Sequence, residues 1–485
     1  MTENKSEDPD VFRLAVVGGG SRANGPSDDV TTSRASRRTG IVMIASCLGF
    51  FLINLDATGV NVALPAIGSQ LRTGLSALQW VVDGYTVAFA GLLFSAGRVS
   101  DRIGASRLFG YGVSGFSLAS AACGLASGIS VLIVARVVQG VAAAAVLPAS
   151  LALVRQCLPD PMARARALAL WAAGGGAAVA AGPVVGGFLT DLLGWRAIFF
   201  VNLPFGLLVL AGLSRAARSV PQRTPVDLPG QLAAVVTLTG CVFATIETES
   251  RGMGSPVVLL SLLAFGIGGL WFLRAEATSV APMVDLRELR SPVFVSCLLT
   301  GFALNFAYYG IMFVFSLLFQ RERHWSPSET GLAFLPPTVF VLGSNILSGR
   351  LTARVGPRYA MTGGLLLEAA GFAGVMAVGA HGPTWLLLSA MVLVGVGGGL
   401  ASPPMISTML ESVPAKRAGV VSGLLNSCRQ AGGAIGVAGF GVLISPGVLG
   451  MASGMQAAAA TAAGLLATSA VVACFCIPAR NALGD

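Results

Sequence analysis

The chain has 485 residues, of which 54% are hydrophobic and only 11% are charged, and its mean hydropathy is +0.78. A soluble domain carries about 25% charged residues, so this composition excludes an ordinary soluble fold. The formal net charge is +9, but the basic residues stand between apolar blocks. That pattern is typical of loops at an anionic membrane surface, so we expect no nucleic-acid partner.

Most of the chain is predicted to form membrane-spanning helices. One span needs about 20 mainly apolar residues, and about fourteen such stretches are present. Residues 1–38 are polar and are expected to form a disordered cytoplasmic tail, and residues 479–485 are expected to form a second tail. The predicted spans are residues 40–64, 80–98, 106–127, 131–154, 165–189, 196–214, 228–248, 256–274, 293–318, 329–349, 359–379, 384–408, 418–444 and 456–478.

The distribution of Lys and Arg predicts which helix ends face the cytoplasm. With the N-terminus inside, 24 basic residues fall in inside segments and five fall in outside loops. Such an excess is the usual signature of cytoplasmic loops. Both termini are therefore predicted to be cytoplasmic. Because lysine is nearly absent while Ala and Gly are abundant, as in high-GC bacterial genomes, we expect a multi-pass protein of a bacterial plasma membrane.

One short sequence occurs twice. Residues 97–104 read GRVSDRIG and residues 349–356 read GRLTARVG, with identical residues at four positions. Duplicated halves are common in carriers. Because the two copies are eight spans apart, we expect two six-helix bundles, residues 39–218 and 291–478, with two extra helices and their linkers in residues 219–290.

Several motifs occur in an order that is characteristic of one family. They are LDATGVNVALP at 55–65, the GRVSDRIG loop at 97–104, RVVQG at 136–140, GPVVGG at 182–187 and NLP at 202–204. With these motifs the chain resembles the major facilitator superfamily, in particular its fourteen-span drug:proton antiporters, over residues 40–478. Residues 80–85 and 426–430 are similar to the methylenomycin-resistance subgroup.

The resemblance implies an all-α integral membrane protein with the major facilitator fold. It also implies proton-coupled export of small organic molecules, such as drugs or antibiotics, by alternating access. An uptake symporter is the alternative within transport, and a membrane-embedded enzyme and a channel are the alternatives outside it. We expect no catalytic residue, metal or cofactor, since the eight cysteines show no ligand spacing. The expected partners are a small organic substrate, protons and the lipid bilayer, and the expected state is a monomer.

Four residues of the loop after the second span are assigned by the resemblance to a conformational latch: Gly97, Asp101, Arg102 and Gly104. Asp101 would pair with a cation or a helix N-terminus of the opposite half in one state. The glycines would allow close helix approach and an unusual backbone angle. The second copy has Ala353 in place of the acid, so the latch would be one-sided. The alternative is a turn that only fixes topology.

The fifth predicted span contains a glycine-rich segment similar to the motif associated with antiporters. Its marked residues are Gly182, Pro183, Gly186 and Gly187. Proline kinks a helix, and small residues let helices pack closely. We therefore predict a hinge or a leak seal, with ordinary helix packing as the alternative.

Charged side chains inside spans are costly, so each should face a partner or a water-filled cavity. Asp56 and Arg136 lie at comparable depths of spans one and four, which allows them to pair. Asp56 is the first candidate for the coupling proton, with a permanent ion pair as the alternative. Asp83 is the second candidate, since we place it about one turn inside the outer end of span two. Other residues assigned to the proton or substrate pathway are Asn61, Gln139, Asn305 and Arg429.

Overall fold

The computed structural model describes residues 26–158, 160–214, 227–279, 282, 285–414 and 417–479. Within these ranges the regular structure is helical and contains no strand. The predicted all-α class is therefore confirmed. Residues 1–25 of the expected tail, the linker at 215–226 and residues 480–485 lie outside the described ranges.

A first set of helices runs from the N-terminal side to residue 213. It consists of α1 (Pro26–Leu71), α2 (Leu75–Ile103), α3 (Ala105–Gly124), α4 (Ile129–Cys157), α5 (Pro161–Leu193), α6 (Ala197–Phe200) and α7 (Asn202–Leu213). Because α1 begins at Pro26, the expectation of disorder is wrong for residues 26–38. Extending an existing helix needs no new nucleus and adds one hydrogen bond per residue, so even this polar stretch continues the helix.

Two helices follow, and then a second set. The two are α8 (Leu228–Arg251) and α9 (Pro256–Thr278), and a 3₁₀ turn at Glu288–Arg290 leads onward. The second set consists of α10 (Pro292–Leu317) with a π turn at Leu318–Glu322, α11 (Pro327–Ala333), α12 (Leu335–Val355), α13 (Pro357–Val378), α14 (Thr384–Glu411), α15 (Ala418–Ile444) and α16 (Gly450–Cys476).

The described helices coincide with the predicted spans when α6 is taken with α7 and α11 with α12. Ten of these segments are long and apolar enough to cross a membrane, and bent α2 makes an eleventh. The segments at α3, α6–α7 and α15 lie outside that count because they are short or contain glycine and polar residues. Membrane crossing by these three stays a prediction.

Helices α1–α7 pack mainly against one another, and α10–α16 do the same. The repeated loops hold matching positions in the two sets. Gly104 separates α2 from α3 with φ at +94°, and Gly356 separates α12 from α13 with φ at +87°. Glycine adopts this backbone region without a side-chain clash, so the sequence repeat marks a repeated helix–turn–helix.

Helix α8 contacts both sets, through α2 and α15, and α9 packs on α8. Helix α2 bends by 59° between Leu93 and Ser95. At that bend Gln231 of α8 donates a hydrogen bond to the Gly91 carbonyl and accepts one from the Ser95 hydroxyl. Insertion of a side chain into the backbone ladder is a known cause of helix kinks, so α8 contributes to the shape of α2.

Candidate functional site

Asp56 of α1 and Arg136 of α4 form an ion pair inside the first helix set. Arg136 Nη1 lies 2.5 Å from Asp56 Oδ2, and each residue is only 1% exposed. The pairing agrees with the similar depths that the sequence assigned to the two residues. A charge-assisted bond of this kind is strong in a dry interior, and removal of one partner leaves the other charge buried without compensation.

Uncharged side chains from α3, α4 and α7 complete the surroundings of the carboxylate. Asp56 Oδ1 accepts hydrogen bonds from Gln139 Nε2 at 3.0 Å and from Asn202 Nδ2 at 2.8 Å. The same two amides donate to Ser120 Oγ at 3.3 and 2.9 Å. Gln139 was assigned to this pathway from the sequence, whereas Asn202 belonged to a motif with no stated role. Ser120 had no sequence signal, because helical serines commonly bond their own backbone.

Helix α2 holds Arg136 from a further side. Arg136 Nε donates to the Val81 carbonyl at 2.9 Å, and its Cζ lies 4.3 Å from the centre of the Tyr85 ring. This position suits a cation–π contact. Helices α1, α2, α3, α4 and α7 therefore converge on one buried ion pair. Neither charge reaches solvent, so a proton can reach Asp56 only when this packing changes.

Asn61 does not join this cluster. Its side-chain amide donates to the Ala57 carbonyl of its own helix at 3.2 Å. Its backbone carbonyl accepts a 2.6 Å hydrogen bond from Ser316 of α10. Asn61 thus lies where the two helix sets meet, more than one helical turn from Asp56.

Asp83 is also separate from the ion pair. It is fully buried, and neither carboxyl oxygen has a hydrogen-bond partner among the described residues. Gln79 lies one turn before Asp83 on α2, and its side-chain amide donates hydrogen bonds to the carbonyls of Val437 and Ala438 on α15. Asp83 therefore lies on the face of α2 that is directed to α15. Because α2 begins at Leu75, Asp83 lies about 12 Å along the helix. The helix thus extends beyond the predicted start of the span, and the depth of Asp83 in the membrane stays a prediction.

Asn305 and Arg429 form a third group, between α10 and α15. Arg429 Nε donates to Asn305 Oδ1 at 3.3 Å. Arg429 is half-buried, and no ion pair reaches it within the described part of the chain. The seven residues predicted for the pathway therefore divide among the ion pair, the contacts between the helix sets and this guanidinium.

The predicted latch residues are not engaged in this structure. Asp101 and Arg102 are exposed, and neither makes an ion pair within the described ranges. The unusual backbone angle expected of Gly104 is present. The close helix approach expected at Gly97 is not present in this structure, since a side-chain carbon there would meet no atom within 4 Å, and it stays a prediction for the latched state.

The predicted close packing is present at the glycine segment of α5. A side-chain carbon on Gly182 would overlap Thr58 Oγ1, and one on Gly186 would lie 2.5 Å from the Gly59 carbonyl oxygen. Small residues on both helices thus bring α1 and α5 into backbone contact. A sharp bend at Pro183 is not seen, because α5 forms one continuous span supported by neighbours on both sides.

The other side of the same segment touches the second helix set. A side-chain carbon on Gly187 would overlap the Pro327 carbonyl, and one on Gly331 of α11 would overlap the Pro183 carbonyl. Nearby, Ser328 donates to the Asp191 carboxylate from its backbone nitrogen at 3.0 Å and from its hydroxyl. The α5 glycines therefore fill a three-helix junction between the two sets.

Hydrogen bonds that join the two helix sets gather at the end predicted to face outward. Besides the bonds of Asp191 and Gln79, Ser316 donates to the Asn61 carbonyl at 2.6 Å and Gln320 to the Val62 carbonyl at 2.8 Å. At the opposite end the latch residues have no such bond in the described ranges. The described arrangement is thus closed at one end of the seam between the sets.

Comparison with known proteins places this geometry in a family context. A model of the Major Facilitator Superfamily matches residues 46–437. The methylenomycin A resistance protein of Streptomyces coelicolor is 36% identical over 408 residues, which cover 84% of this chain and 86% of that protein. The multidrug resistance protein Stp of Mycobacterium tuberculosis is 37% identical over 407 residues, 84% of this chain and 76% of that protein.

A further relative covers more of the chain. The puromycin resistance protein pur8 of Streptomyces alboniger is 34% identical over 473 residues, 92% of each protein. Among solved structures, the inward open xylose transporter XylE from E. coli superimposes with a TM-score of 0.64 at 12% identity, covering 92% of this chain and 98% of that one. The structural likeness shows a shared fold.

Proposed function

The chain belongs to the Major Facilitator Superfamily, and we propose that it exports small organic molecules, such as drugs or antibiotics, in exchange for protons. Relatives named for resistance to methylenomycin A, to puromycin and to multiple drugs support this class of cargo. The observation that carries the coupling is the buried Asp56–Arg136 pair. Proton-driven export needs a carboxyl group that gains and loses a proton as its surroundings change.

Asp56 meets that requirement through the groups around it. As a carboxylate it is stabilised by Arg136 and by the amides of Gln139 and Asn202. Movement of α1 relative to α4 would weaken these contacts and favour protonation, since burial without a cation disfavours the charged form. Proton uptake and helix movement would then occur together. Asp83 is the second candidate, because it is a buried carboxyl at the seam between the sets.

Alternating access would use the two helix sets as moving halves. In this proposal residues 39–218 and 291–478 rock against each other, while residues 219–290 add two helices outside that core. Both termini face the cytoplasm, and one copy of the chain is sufficient. The hydrogen bonds at the outward end and the free Asp101 support an inward-facing state, in which Asp101 would engage only after the halves close on the cytoplasmic side.

Transport by inverted membrane vesicles tests the proposal. With an acidic lumen, vesicles that contain the protein should accumulate puromycin, and a protonophore should abolish the accumulation. Puromycin entry that does not depend on the proton gradient would indicate a channel. Gradient-driven uptake in right-side-out vesicles only would indicate a symporter. Either result would overturn proton-coupled export.

A further inference from the structure

Arg429 is a half-buried arginine of α15, and no described acidic side chain pairs with it. Its Nε donates to Asn305 Oδ1 at 3.3 Å, and its two terminal nitrogens make no hydrogen bond to a described residue. Arginine stays protonated in proteins, and a lone charge within a membrane span is costly. Arg136, the other arginine that lies well away from the ends of its predicted span, has Asp56 as its partner. Arg429 therefore retains a positive charge whose partner is not provided by its own helix set.

Two buried acids within the spans are not paired with a cation in the described structure, and neither contacts Arg429. Asp83 has no hydrogen-bond partner for either oxygen among the described residues. Glu368 of α13 is 2% exposed, and its Oε2 atom has no such partner either. Glu368 instead lies beside Gly398 of α14, where a side-chain carbon would be 3.2 Å from Oε2. Within the described residues the guanidinium of Arg429 therefore has no carboxylate partner.

The position of Arg429 is suited to a molecule bound between the halves. Tyr309 of α10 packs on α15 at Gly433, one turn beyond Arg429. Helix α15 also contacts the first helix set, since Gln79 of α2 donates hydrogen bonds to the carbonyls of Val437 and Ala438, two turns beyond Arg429. This face of α10 and α15 therefore points to the seam between the halves, which is where carriers of this type hold their substrates.

We propose that Arg429, Asn305 and Tyr309 form a subsite for an anionic group of the transported molecule, with a carboxylate as the simplest case. The guanidinium offers two parallel N–H donors that match the two oxygens of a carboxylate. Phe302, half-buried and stacked with Phe306 at 6.0 Å between ring centres, supplies an aromatic surface for the rest of the molecule. The inference rests on the proposed export function and adds to its cargo one chemical class, organic acids with an apolar body.

A matched pair of fluorescent ligands tests the subsite without any proton gradient. Dansylglycine carries a carboxylate, and dansylglycinamide is neutral but otherwise similar. The purified protein in nanodiscs should bind dansylglycine at least about tenfold more tightly, as expected of a charge-assisted contact. Arg429→Gln should bring the two dissociation constants together by weakening only dansylglycine, and Arg429→Lys should keep part of the preference.

Arg251→Gln is the control, because Arg251 pairs with Glu247 at the far end of α8 and its loss should leave both affinities unchanged. Equal binding of the two ligands by the unmodified protein, or binding of neither, overturns the subsite. An equal loss of both affinities in Arg429→Gln also overturns it, and would favour a structural role such as pairing with Asp83 in another state. Since the assay needs no transport, failure of the subsite and failure of proton-driven export are separate results.

Discussion

Arg136 of α4 donates a 2.5 Å hydrogen bond to the carboxylate of Asp56 on α1, and the two side chains are sealed from solvent. Amide groups of Gln139 and Asn202 hold the second carboxyl oxygen. The pair thus joins two helices of the first set, α1 and α4. Whether it also carries the proton can be decided by substitution.

Asp56→Asn should abolish proton-driven export and leave substrate binding measurable, because an amide keeps the shape of the side chain but cannot carry the proton. Asp56→Glu should retain some transport. Ser120→Ala is a matched control, since it removes neutral bonds to Gln139 and Asn202 but leaves the ion pair intact. Vesicle transport and ligand binding are the two measurements.

The competing explanation for Asp56 is a permanent ion pair that only holds α1 and α4 together. In that case neutralising Asp56 strands Arg136 and destabilises the protein by about 3–5 kcal/mol, visible as a lower thermal midpoint. The double variant Asp56→Asn with Arg136→Gln should then regain gradient-driven export. Such recovery would rule out Asp56 as proton carrier and leave Asp83 as the leading candidate.

Asp101→Asn should insert normally and slow transport. The exposed Asp101 makes no ion pair in this state, so only the opposite state loses a contact, worth about 1–3 kcal/mol. The transport rate would fall by roughly tenfold per 1.4 kcal/mol. Glu411→Gln, another exposed acid at a predicted cytoplasmic helix end, serves as the control. Export at the normal rate by Asp101→Asn would show that residues 97–104 only fix the topology of the chain and do not act as a latch.

Gly186→Ala should impair closure at the outward end, because the new carbon would lie 2.5 Å from the Gly59 carbonyl oxygen. Overpacking of this kind costs about 1–3 kcal/mol and should lower the thermal midpoint and increase proton leak. Gly174→Ala on the same helix is the matched control, since a side-chain carbon there meets no atom within 4 Å. If both variants behave alike, the leak seal is not located at this junction.

We expect α8 to stabilise the described, outwardly closed arrangement through a hydrogen bond at the end of α8 that is predicted to face outward. Ser445 of α15 donates a 2.6 Å hydrogen bond to Glu249 of α8, while Gln231 ties the other end of α8 to α2. Glu249→Ala should therefore raise the labelling rate of a cysteine introduced at Ser328 in a cysteine-free background. Arg251→Ala, which breaks only the intrahelical pair with Glu247, should not raise it. Equal labelling in the two variants would show that α8 does not hold the halves together.

A reporter that is active only outside the cytoplasm tests the topology. Fused after Asp485 it should be silent, because the charge distribution predicts that both termini are inside. Inserted after Gly254, in the predicted outside loop between α8 and α9, the same reporter should be active. An active fusion at Asp485 would contradict the orientation on which the outward and cytoplasmic ends are assigned.

The sequence alone determined the features that depend on depth along a helix and on membrane chemistry. Apolar stretches must become helices because a bilayer leaves no other partner for the backbone, so the spans and their order were predictable. Asp56 and Arg136 could be matched because each residue adds a fixed rise along its helix. The equivalence of the two repeated loops could also be predicted, because they share a sequence motif that places Gly104 and Gly356 at equivalent turns.

Only the tertiary structure decided which faces of the helices meet. Residue number gives depth, but the rotation of each helix and the identity of its neighbours depend on packing of the whole bundle. Asn202 and Ser120 therefore join Asp56 from distant segments, while Asp83 faces the contact with α15 and Gly97 has no neighbour within 4 Å of an added side-chain carbon. The lack of an ion-pair partner for Arg429 has the same origin, since it depends on where every acid of the described chain lies in space.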